Sequence, residues 1–164
     1  LEPFPRAVLA AVGQAVPIAF GPICGSAPTE LGFSAPDESD VWIIGAIPFA
    51  AASPWALALL CGRDTAVALA RAATGSDVAP ESAAMGEAMG ELVNLLAGQV
   101  AGLLVAAGQP AQMTLPMVAR GDKVRLYPPG VARLLLLGYQ CPQGRFWVRL
   151  AFVSPPDKAG RPAA

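Results

Sequence analysis

The sequence predicts a single α+β domain in which a sheet of about five or six strands packs against two long helices and one short helix. Three observations carry that reading. Of the 164 residues, 54% are apolar and 14% charged, which supplies one real core within the usual size of one domain. Two stretches, 4–20 and 80–107, space their apolar residues as helices do. Runs rich in branched and aromatic residues, separated by Gly and Pro, fill much of the remainder and read as strands.

In chain order, Val8, Leu9, Val12, Val16 and Ile18 give the first helix an apolar side that Pro17 disturbs late. The segment 25–40 collects Ser, Pro, Thr, Asp, Glu and Gly, a connection with an edge strand around Leu31–Ser34. Val41–Cys61 carries no charge, and Pro48, Ser53 and Pro54 divide it into two buried strands joined by a turn. A short helix follows over Arg63–Ala73, with Val67, Leu69 and Ala70 inward and Gly75 as its stop. Pro80 suits the first turn of the longest helix, which Gly108 and Pro110 end. Gln112–Val118, Val131–Tyr139 and Arg145–Val153 read as three more strands, the first two separated by the turn at Pro128, Pro129 and Gly130. The domain is expected over 1–153, with 154–164 a flexible tail holding three prolines and little to bury.

Composition excludes several classes of function. The formal net charge is -1 and the basic residues are scattered, so no stripe could track a nucleic-acid backbone. The chain has no histidine, which removes Ser-His and Cys-His nucleophilic pairs and H-E-x-x-H metal sites. Cys24, Cys61 and Cys141 are odd in number and form no C-x-x-C pair, so they read as buried free thiols in a reducing cytosol rather than as disulfide or zinc ligands. Pro3, Pro5 and Arg6 stand before only a modest apolar run, unlike a signal peptide, and a cytoplasmic protein without membrane insertion is expected. The uncharged 41–61 segment has the length of a span, roughly 20 residues, and leaves a membrane-associated protein as a rival reading.

Rotating the long helix at about 100° per residue puts Met85, Met89, Leu92, Leu96, Val100 and Leu103 on one side. Glu87, Glu91, Asn94, Gly98 and Gly102 fall on the other. A helical glycine costs about 1 kcal/mol relative to alanine, so Gly86, Gly90, Gly98 and Gly102 call for an offsetting gain. The residues alone leave three accounts open: a solvated face, tight packing through the glycines, or close approach by a partner.

Gly90-Glu-Leu-Val-Asn-Leu-Leu-Ala-Gly98, followed by Met113-Thr-Leu-Pro-Met-Val118, resembles the hallmark of the CheC, CheX and FliY chemotaxis phosphatases. That family pairs E-x-x-N on a long helix with a proline downstream. The likeness is sharp over 85–118 and looser over 41–75. It implies catalytic roles for Glu91 and Asn94 against a phosphorylated CheY-like response regulator, with Asn94 orienting water and Glu91 pairing with a receiver lysine. Glu87, Gly98 and Pro116 would be partner-binding positions, and Mg2+ would come with the receiver rather than bind this chain. Glu87 stands where the family usually has Asp or Ser, and the interval from Asn94 to Pro116 is one residue shorter than its pattern. A single E-x-x-N is closer to the CheX branch, which implies a homodimer. The rival within the resemblance is a catalytically silent module that binds a receiver or the flagellar switch.

Other residues read more plainly. Trp42, Trp55 and Trp147 are expected in the core or a dimer interface. Asp37, Glu38 and Asp40 are expected in a solvated loop rather than a metal cluster. Arg120, Asp122, Lys123 and Arg125 are expected in an exposed turn able to grip an acidic receiver.

Overall fold

The computed structural model describes residues 3–127 and 129–154. Helix α1 (Pro3–Cys24) is followed by strand β1 (Thr29–Phe33), a 3-10 turn at Glu38–Asp40, and the paired strands β2 (Ile43–Ala50) and β3 (Trp55–Cys61). Helices α2 (Arg63–Thr74) and α3 (Ala83–Ala106) come next, then the short strands β4 (Gln112–Met113) and β5 (Met117–Arg120). The long hairpin of β6 (Val131–Cys141) and β7 (Gly144–Val153) closes the chain. The expected tail lies outside the described residues apart from Ser154, whose N–H donates to the Gly130 carbonyl.

All pairings are antiparallel, in the order β1-β6-β7-β3-β2-β4, with β5 also pairing β2. Seven strands are therefore present among the described residues rather than five or six. The extra one arises because 112–118 is not a single strand: the run breaks before Pro116, which has no N–H to give a ladder. Thr114 pins the break, donating through both its N–H and its hydroxyl to the Pro48 carbonyl at 3.0 Å.

Two-residue alternation sorts the strands between two faces. Toward the helices, Ile43, Ile47, Leu57, Leu59, Val148 and Leu150 are fully buried in one core with α1, α2 and α3. Trp55 stacks on Phe49 in this core, ring centroids 4.0 Å apart. On the other face, Ile44, Ala46, Ala58, Leu60 and Trp147 form a second, smaller cluster that Val124 and Leu126 cover. Trp42 belongs to the main core, so all three tryptophans are core residues.

Helix α1 runs through Pro17 to Cys24, four residues past the expected end, and also contains Pro22. The burial of Ala15, Val16, Ala19, Phe20 and Cys24 offsets the two lost backbone donors. Helix α2 ends as expected on Gly75, whose φ of 74° is left-handed and whose N–H donates to the Arg71 carbonyl. Pro80 is not in the first turn of α3; it precedes Ser82, which caps the helix by accepting from the Met85 N–H.

The 41–61 segment is the β2–β3 hairpin at the sheet centre, not a spanning segment. Two helices, Pro5–Cys24 and Ala83–Ala106, are long and apolar enough to cross a membrane, and about half of each is buried inside this fold (44% and 50%). The three cysteines are free and buried. Burial pushes the Cys61 thiol up to about 12, with a contribution from Cys141, and pushes the Cys24 thiol, hydrogen-bonded to that of Cys141, up to about 12 as well.

Candidate functional site on helix α3

The buried side of α3 consists of Met85, Ala88, Met89, Leu92, Val93, Leu96, Ala97, Val100 and Leu104. Leu103, expected inward, is only partly buried, and its neighbour Leu104 is fully buried. The helix sits close on the sheet at Gly45. A Cβ there would lie 3.1 Å from Met89 Cγ and 3.2 Å from Val93 Cγ1, so the absence of a side chain on β2 sets how near α3 can come.

With that side committed to the core, Glu87, Glu91, Asn94 and Gly98 are left facing solvent. Spacing of three and four along the helix keeps them on one strip. Among the described residues no hydrogen bond or ion pair engages the Glu91 or Asn94 side chain. Both are therefore available to an incoming molecule. An exposed carboxylate and amide can orient water, accept from a cation or donate to an anion.

The glycine question is resolved by the space around each position. Added Cβ atoms at Gly86, Gly98 and Gly102 would meet nothing within 4 Å, and one at Gly90 would make an ordinary contact of 3.8 Å with Val118. Packing among the described residues does not explain these three open glycines. Around the strip the surface is apolar and uncovered: Leu95 is 42% exposed, Met117 52% and Leu115 83%. Pro116 is exposed between the last two, on a stretch carried by β4 and β5, both of which lie against α3. The structure thus brings the α3 strip and the proline loop to the same flank of the molecule.

Arg120 departs from expectation. Instead of standing free in a turn, it is the last residue of β5, and its guanidinium donates to the carbonyls of Pro80, Glu81 and Ser82 at the start of α3. It ties β5 to the entry of the helix and is not available to grip a partner. The sequence signal for this role was weak, since all three acceptors are main-chain atoms. Asp37 and Asp40 are exposed, at the loop that was expected to be solvated.

A model of one protein family, described as chemotaxis phosphatase CheX, matches residues 43–137. The chain belongs to the CheX family. That matched region contains the whole of α3 and both short strands beside it. No curated protein matches by sequence. Among solved structures, a CheC-like superfamily protein from Shewanella sp. PV-4 is similar at a TM-score of 0.78 and 12% identity, covering 90% of this chain and 98% of that one. Chemotaxis protein CheX from Vibrio vulnificus gives 0.76 at 12% identity, over 88% and 95%. A chain of the CheX-CheY-BeF3-Mg2+ complex from Borrelia burgdorferi gives 0.69 at 15% identity, over 89% and 97%. These likenesses show a shared CheC/CheX-like fold.

A resident metal does not fit the α3 strip. Among the described residues no group of three or more Cys, Asp or Glu is placed to hold an ion, and the strip offers two carboxylates with one amide, fewer donors than a hard cation takes from a protein cage.

Proposed function

We propose that this chain is a phosphatase acting on the aspartyl phosphate of a CheY-like response regulator. The observation that carries the reading is the exposure of Glu91 and Asn94 on one side of α3 without hydrogen-bond or ion-pair partners among the described residues, in a member of the chemotaxis phosphatase CheX family. The solved complex of a CheX with CheY supports the choice of partner class.

The chemistry asks little of this chain. Water attacks the phosphorus of the acyl phosphate, the bond from phosphorus to the aspartyl oxygen breaks, and the products are the receiver's carboxylate and inorganic phosphate. Asn94 holds the water in line through its amide, and Glu91 pairs with a receiver lysine and fixes the docked orientation. Phosphoryl transfer depends chiefly on positioning and charge stabilisation, so an amide serves without acting as a base. Mg2+ belongs to the receiver. Leu95, Leu115 and Met117 supply apolar docking area around the polar pair, Glu87, Gly98 and Pro116 border it, and the bare backbone at Gly98 lets the partner approach closely. The protein acts in the cytoplasm, as a homodimer.

The test follows the decay of a phosphorylated CheY-type receiver with and without the protein. Acceleration is expected, with Asn94→Ala and Glu91→Ala each losing about 100-fold of it. Both variants should remain folded because both side chains are exposed. Binding without acceleration would replace the phosphatase with a silent docking module.

A further inference from the structure

The sheet face turned away from the helices holds a feature that the phosphatase reading does not use. Arg149 is on the central strand β7, between Ala58 of β3 and Leu136 of β6, and is only 4% exposed. It is the one buried charged side chain among the described residues. Among the described residues its Nε has no hydrogen-bond partner and no acidic side chain forms an ion pair with it. The guanidinium lies over the ring of Tyr127, with its carbon 5.3 Å from the centroid.

Arg149 lines a cavity of about 190 Å³, below the roughly 300–1,000 Å³ of pockets that hold drug-sized ligands. The walls are aliphatic: Ile44, Leu60, Leu134 and Leu136. Arg125 adds a second guanidinium and Asp37 one carboxylate, both on exposed residues. The one buried guanidinium, Arg149, leaves room for a single negative charge, and the apolar walls require a hydrocarbon body rather than a strongly hydrated ion. A planar guanidinium matches a carboxylate through paired N–H donors.

We propose that this cavity binds a small monocarboxylate with an aliphatic or aromatic body, its carboxylate on Arg149 and its body against Leu134 and Leu136. A bound carboxylate would satisfy the orphaned Nε and neutralise a charge that burial destabilises; the Arg149 pKa is lowered by that same desolvation.

The experiment titrates the full chain with benzoate, phenylacetate and hexanoate by calorimetry and thermal shift, using benzamide as the neutral control. At least one carboxylate is expected to bind with a Kd below about 1 mM and to raise Tm, and benzamide to bind at least about tenfold more weakly. Arg149→Met should abolish the shift while keeping the native circular dichroism. Tyr127→Ala, at a residue 55% exposed, should weaken binding without threatening the fold. The proposal is overturned if none of the three carboxylates binds at about 10 mM, if benzamide binds equally well, or if both variants bind benzoate undiminished. It is also overturned if Arg149→Met changes only a concentration-dependent self-association, which would mean that a second copy covers the cavity.

Discussion

The two sides of α3 differ in what holds them. On the buried side Met85, Leu96 and Val100 are fully enclosed against the sheet, and Gly45 of β2 is bare so that Met89 and Val93 can sit on it. On the other side, among the described residues, the Glu91 and Asn94 side chains have no hydrogen-bond or ion-pair partner, and Gly98 and Gly102 face open space. Folding requires the first side and is indifferent to the second. The difference teaches that stability and the proposed chemistry are separable on one helix, and that Gly98 and Gly102 belong to the side facing outward.

The largest break in that comparison is Leu96→Ala. Removing a fully buried side chain should cost about 2–5 kcal/mol, seen as a lower denaturation midpoint, and phosphatase activity should fall only as the folded fraction falls. Gly45→Val comes next, at about 1–3 kcal/mol, because the new side chain meets Met89 and Val93. It should also lower receiver affinity by lifting α3, an outcome that binding titration with the folded fraction held fixed would check.

Gly98→Ala sharpens the contrast through its sign. With nothing within 4 Å of the new methyl, helix propensity should raise stability by about 0.5–1 kcal/mol. If the partner docks over this strip, the same substitution weakens receiver binding. A stability gain with unchanged affinity would move the docking surface away from Gly98.

Smallest at neutral pH, and growing only in alkali, is the effect of the buried groups beneath the helices. Burial pushes Cys61 from 9.0 to about 12, and Tyr139 from 10.0 to about 12 with Glu30 contributing. Both folded-state values lie above the unfolded ones, so the native state retains protons that the unfolded chain releases. Their stabilising contribution is complete below pH 9 and is lost progressively as pH rises toward 12. Thermal melts from pH 7 to 11 should show a flat Tm and then a decline, and Cys61→Ala should flatten part of the decline.

Much of this was legible beforehand because its causes are local. The helix stop at Gly75, the break between β2 and β3 at Ser53 and Pro54, and the polar strip of α3 follow from single-residue conformational limits and from periodicity. The split of 112–118 follows from Pro116, but where it falls also depends on a distant acceptor, the Pro48 carbonyl that holds Thr114 and that no local pattern shows. Arg120 was misplaced for the same reason, its partners being carbonyls about forty positions earlier, on residues 80–82.

By itself the sequence determined the α+β class, the amphipathic α3 and the presence of Glu91 and Asn94 on one strip, since those depend on residue type and spacing along one element. Only the tertiary structure decided that, among the described residues, nothing covers the strip, the open glycines serve no internal packing, and Arg149 is enclosed without an acidic partner. Exposure and charge pairing are properties of what lies across from a residue, and what lies across is set by strands and helices far away in the chain.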